Sequence, residues 1–87
     1  MSTPLAEVNT DRLTELRLIV ADVLERAPEE ISDGGDFRRE YDADSMRAIE
    51  ILSRLEKTYR VEIPQSTLPE MNNLLAVYTV MKRCAGW

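Results

Sequence analysis

Apolar residues recur in this chain at intervals of three and four, in blocks separated by proline, glycine and acidic residues, and that rhythm is helical. Leu13, Leu16, Val20, Val23 and Leu24 form one stripe, widened by Ile19 and Ala27. Met46, Ile49, Leu52, Leu55 and Tyr59 form a second, with Ala48 and Ile51 beside them, and Leu74, Leu75, Tyr78 and Met81 form a third. The first helix is expected over residues 10–26, begun by Asn9 or Thr10 with Asp11 in its first turn and stopped by Pro28. The second is expected over 45–59 with Asp44 as its N-cap, and the last from Asn72 or Asn73 to just before Gly86. Between them Val61-Glu62-Ile63-Pro64 reads as an extended exit too short for an isolated strand. Ser66 to Glu70 reads as one helical turn with Pro69 near its start. The expected fold is all-α: three principal helices and one short one in a four-helix bundle, preceded by a tail over 1–9, with the domain spanning 10–85.

Residues 28–44 interrupt the rhythm. They hold two glycines and seven acids, Glu29, Glu30, Asp33, Asp36, Glu40, Asp42 and Asp44, and read as a long loop. A connection of that length inside a small domain needs its own apolar anchors or a function. Ile31, Phe37 and Tyr41 are the expected anchors.

Composition removes most catalytic classes. With 87 residues there is room for one core and none for a large enclosed cleft between domains. The chain has no His, so it offers no imidazole base for a serine or cysteine nucleophile and no His ligand for zinc or haem. Its one cysteine, Cys84, reads as a small filler near a helix end; alone it makes neither an internal disulfide nor a cysteine-rich metal site. Glycines stand at 34, 35 and 86 only, which leaves no glycine-rich phosphate loop. The net charge of −5 disfavours nucleic acid and anionic membrane as partners and favours proteins with basic patches. No apolar run reaches the ~18 residues of a membrane span, and residues 1–9 lack a basic start followed by an apolar stretch, so a cytoplasmic location is expected.

Asp44-Ser45-Met46 stands where the acidic stretch meets the second helix. As a bare tripeptide it is ordinary capping. With Phe37 before it, Tyr41-Asp42-Ala43 leading into it, and Ile49-Glu50, Leu55-Glu56, Tyr59 and Val61-Glu62-Ile63-Pro64 after it, the chain resembles the acyl carrier proteins and the wider phosphopantetheine-binding carriers, over nearly its whole length. The resemblance implies a stand-alone carrier whose four-helix bundle bears a 4′-phosphopantetheine arm on Ser45, transferred from coenzyme A by a phosphopantetheinyl transferase. Asp44 belongs to the motif and caps the helix. A phosphodiester on Ser45 would meet free N–H groups and the positive end of the helix, while Asp44 would repel it somewhat. The thiol chemistry would be the cofactor's, so the missing histidine is no obstacle. Implied partners are the transferase, an acyl-loading enzyme, a ketosynthase and an acyltransferase, meeting a monomer.

The sequence departs from the family pattern in three places. Asp42 and Arg60 stand where relatives often have glycine; Asp tolerates a left-handed backbone, whereas Arg in that conformation would cost up to ~1–2 kcal/mol. The third departure is electrostatic. Residues 45–60 carry Arg47, Arg54, Lys57 and Arg60 against Glu50 and Glu56, a net +2, while residues 27–44 are net −5. Fatty-acid carriers concentrate acids on this helix. Such a distribution is commonly only a solvated face; read functionally, it points to other partners, with Met46, Arg47 and Arg54 as candidate contacts, and to a specialised pathway, polyketide or hybrid. A D-alanyl or aminoacyl carrier, a housekeeping fatty-acid carrier and a non-carrier helical interaction domain are the alternatives.

Overall fold

Each long helix begins where a short polar side chain takes up a free backbone N–H. Asn9 accepts from the Arg12 N–H at 3.2 Å, Asp44 from Arg47 at 3.1 Å and Asn73 from Ala76 at 2.7 Å. The computed structural model describes residues 9–87, so the expected tail lies, apart from Asn9, outside the described residues. The helices are α1 (Thr10–Leu24), α2 (Phe37–Tyr41), α3 (Ser45–Tyr59) and α4 (Leu74–Ala85), with short 3-10 turns at Pro28–Glu30 and Gln65–Glu70. No strand occurs among the described residues, and 61–64 run extended without pairing.

Four details differ from the sequence reading. First, α1 stops at Leu24 rather than at residue 26, because Glu25 turns left-handed (φ 58°) and the N–H groups of Glu25 and Arg26 bond back to Asp22 and Ala21. Pro28 therefore ends nothing; it opens the first 3-10 turn, where its missing N–H is no loss. Second, the expected loop contains α2, capped by Asp36, whose carboxylate accepts from the N–H groups of Arg38 and Arg39. Third, the turn before α4 is a 3-10 turn beginning at Gln65. Fourth, Pro69 therefore lies toward its end, beyond the position where proline was expected.

The core is the meeting of the three stripes. Leu16 and Val20 of α1, Ile51 and Leu55 of α3, and Leu74, Val77, Val80 and Met81 of α4 are essentially sealed from solvent. Ile31, Phe37 and Tyr41 are buried as anchors, joined by Ile63 and Met71. Polar bonds complete the hold on the acidic stretch: the Phe37 N–H donates to Asn72 O (2.9 Å), the Leu75 N–H to Asp33 O (3.2 Å), and the Arg17 guanidinium to Ile31 O and the Asp33 carboxylate. The Tyr41 hydroxyl donates to Glu30 O and accepts the Ser32 N–H, both at 2.9 Å. Gly35 lies so near this bond that a Cβ there would sit 2.9 Å from the Tyr41 oxygen and 2.5 Å from Ser32 Oγ. A side chain there would force Ser32 and Glu40 aside and press on the Tyr41 hydroxyl.

Asp42 and Arg60 both adopt the left-handed conformation, with φ 54° and 55°. The family's turn and helix end thus survive without glycine. Arg60 is exposed and closes α3 through N–H bonds from Arg60 and Val61 to Glu56 O. Arg60→Gly is therefore expected to stabilise the protein by about 0.5–1 kcal/mol, the left-handed strain relieved less the extra unfolded-chain freedom of glycine, measurable by urea denaturation.

The contacts set two poles. At one, the end of α1, α2 and the starts of α3 and α4 gather. At the other, Trp87 packs edge-on to Tyr59 (centroids 5.0 Å apart) and beside Tyr78, with the Arg12 guanidinium 4.5 Å from its ring centre. The Tyr59 hydroxyl donates to Glu15 at 2.8 Å. Burial, then the hydrogen bond to Glu15 and its negative charge, push the Tyr59 phenol above its ordinary value of 10.0, against an opposing pull from Arg12. The folded chain thus keeps this proton where the unfolded chain has lost it. The contribution to stability is intact below pH ~10 and declines above it. Chemical denaturation across the alkaline range should show a shallower decline for Tyr59→Phe than for the parent.

Candidate functional site

The pole opposite Trp87 presents Ser45 at the first position of α3. The serine is exposed, and the cap falls to its neighbour, so its hydroxyl is free of structural duty: Asp44 holds the Arg47 N–H, and its carbonyl accepts from Ala48 at 3.1 Å. The N–H groups of Ser45 and Met46 have no intrahelical acceptor, as the first turn of any helix dictates. An anion carried on the Ser45 oxygen would meet these donors and the positive end of a four-turn helix.

Ser45 also stands at the rim of a cleft of about 510 Å³. Its floor is apolar, with Phe37 of α2, Ala43, Ala48 and Ile51 from in and around α3, and Leu68, Pro69 and Met71 from the opposite wall. The rim is polar: Asp36, Arg38, Asp44, Ser45 and Asn72. The cleft exists because α2 and the second 3-10 turn face each other across the start of α3, an arrangement tied by the Phe37–Asn72 hydrogen bond. Among the described residues no buried side-chain polar atom lacks a partner, so nothing in the floor calls for a polar ligand. A flexible arm with an anionic root and a largely apolar body fits such a site: the root at the helix N-terminus, the body against the floor.

Met46 follows Ser45 and at 75 % is the most exposed large apolar side chain among the described residues; Ile49 lies one turn on and is also exposed. Arg47 and Arg54 point across to α1. The Arg47 guanidinium donates to Val23 O at 2.6 Å and lies 3.4 Å from Glu25 and 3.6 Å from Glu50; Arg54 pairs with Asp22 at 2.7 Å. Arg47 and Arg54 are thus paired with three acids: Asp22 of α1, Glu25 just past its end, and Glu50 of α3 itself. Half-exposed as they are, both arginines remain reachable from solvent.

The structure brings Asp44, Ser45 and Met46 together at one pole and spreads Arg47 and Arg54 along the α1–α3 seam. Arg38, Leu68, Met71 and Asn72 line the cleft without having been singled out in the sequence. Asp36 two residues before Arg38 is a capping signal for α2, but the wall from Leu68 to Asn72 becomes a neighbour only through the fold.

Comparison with known proteins agrees with this geometry. Residues 14–80 match the family described as "Phosphopantetheine attachment site". The chain is 45 % identical over 74 residues, 85 % of its length and 88 % of the relative's, to "Polyketide-8 synthase acyl carrier protein 1" of Streptomyces avermitilis. It is 39 % identical over 72 residues, 83 % of each chain, to "Polyketide-8 synthase acyl carrier protein 2" of the same organism. A chain of the solved structure "The ishigamide ketosynthase/chain length factor" superposes with a TM-score of 0.77 at 35 % identity, covering 91 % of this chain and all of that one.

Proposed function

This chain belongs to the phosphopantetheine-attachment family of carrier domains, and we propose that Ser45 bears the arm. It is an acyl carrier protein, and its cofactor is covalent 4′-phosphopantetheine. When attached, that group supplies a thiol that holds acyl chains as thioesters. The single observation carrying the assignment to Ser45 is its setting. It is an exposed hydroxyl on the first residue of a long helix, relieved of capping by Asp44 and opening onto an apolar-floored cleft.

The chain's own residues bind and present. The first turn of α3 receives the phosphodiester, Phe37, Ile51, Leu68 and Met71 offer an apolar bed beside it, and Met46 marks the attachment point to an approaching enzyme. The chain has no His to serve as a base for Ser45. Attachment of the arm is read as the work of a separate transferase, and the chain as the carrier that receives it. A tethered substrate gains effective concentration at whichever enzyme is docked.

The names of its relatives support a polyketide pathway. Loading enzyme, acyltransferase and ketosynthase are the corresponding partners, with Met46 and the exposed sides of Arg47 and Arg54 as contacts. Among the described residues no helix is long and apolar enough to cross a membrane; action in the cytoplasm as a monomer is part of the proposal. Incubation with coenzyme A and a broad-specificity phosphopantetheinyl transferase tests the assignment: intact-mass analysis should show one added arm per chain, and peptide mapping should locate it on Ser45. A chain that stays unmodified beside a control carrier that loads would overturn it.

A further inference from the structure

The rim of the cleft holds two carboxylates committed to capping. Asp36 caps α2 and Asp44 caps α3, each through hydrogen bonds to backbone N–H groups. A phosphodiester on Ser45 would add a third negative charge to the same rim. Of the residues that line this cleft, only Arg38 is cationic. Its side chain is exposed and makes no ion pair or side-chain hydrogen bond among the described residues. Five other arginines, at positions 12, 17, 47, 54 and 83, are paired with acids. Arg26 lies over the Tyr41 ring. Arg39 is as exposed as Arg38 but is not part of the cleft.

Building on the assignment of the arm to Ser45, we infer that Arg38 is the arm's phosphate-binding residue. Its planar guanidinium offers paired donors that match phosphate oxygens, which a helix N-terminus crowded by Asp36 and Asp44 supplies only weakly. It also sits on α2, one of the two walls of the cleft. A phosphate held from that wall starts the arm over the apolar floor, so Arg38 favours the cleft-bound arm over one extended into solvent.

The experiment uses nitrogen-labelled chain in apo form and after loading with coenzyme A and a transferase, the loading verified by intact mass. The Arg38 Nε–H resonance should shift on loading and its exchange with water should slow severalfold. The Arg39 Nε–H should do neither, and added salt should weaken the Arg38 response. In a second arm, the phosphorus resonance of the loaded protein should move in Arg38→Gln and stay in place in Arg39→Gln. Equal responses of Arg38 and Arg39 in the loaded wild-type chain, or none, would overturn the inference while leaving the Ser45 assignment intact. A chain that gains no arm, or gains it elsewhere than Ser45, would remove both. Should Arg38→Gln load too slowly for the phosphorus measurement, the comparison on the wild-type chain decides by itself.

Discussion

Ser45→Ala is expected to give a folded protein that takes up no arm: no mass increase with coenzyme A and transferase, and no acyl transfer downstream. The two halves of that result rest on different facts. Loading is lost because the phosphodiester forms on a hydroxyl oxygen that alanine lacks. The fold survives because Ser45 is exposed and the side chain that caps α3 belongs to Asp44; alanine at a first-turn position is at least as good a helix former as serine. Ser53→Ala, an exposed change two turns further along α3, should load normally. A Ser45→Ala protein that still gains the arm would move the attachment elsewhere. One that retains full activity in vivo would favour the interaction-domain alternative.

Leu55→Ala is expected to have the largest effect on stability. Leu55 is 0 % exposed in the second half of α3, within the core shared with α1 and α4. Removing three buried carbons loses their transfer free energy and leaves a cavity that helices pinned at both poles close poorly. The cost should be about 2–5 kcal/mol. A domain of this length has roughly 4–13 kcal/mol in total, so the variant should melt roughly 8–40 °C lower by circular dichroism, at about 4–8 °C per kcal/mol. Ser53→Ala on the solvent side of the same helix should change stability by less than about 0.5 kcal/mol. Equal melting of Leu55→Ala and the parent would contradict the core described above.

These expectations draw on features of unequal visibility. The three long helices were legible because each writes its own periodic stripe and carries its own cap; Asp44 and Asn73 act locally, within four residues of the N–H they hold. Ser45 was legible through a motif whose context runs along the chain. By contrast α2 is five residues long, shorter than the repeat needed to show a stripe, and it is secured by a bond to Asn72, 35 positions away. The left-handed Glu25 that ends α1 has no marker, since glycine or asparagine would have been the expected residue. Charge behaved likewise. The excess of basic residues along α3 is correct as a count, yet Asp22 of α1 and Glu25 just past its end neutralise much of it, and that pairing exists only once the helices lie side by side. Arg38 shows the reverse case, a charge in an acidic stretch that the fold leaves unpaired.

The aromatic cluster around Trp87 lies at the far end of α3 from Ser45, roughly 20 Å away at 1.5 Å per residue. A carrier is gripped in turn by several enzymes, and each grip pulls on the arm and on the surface beside it. Here the fastening that joins α1, α3 and α4 through Arg12, Tyr59 and Trp87 is placed at the end away from Ser45. Contacts made beside the arm therefore leave this cluster undisturbed. In mechanical terms it is a ferrule, binding the three helix ends together on the side away from the load.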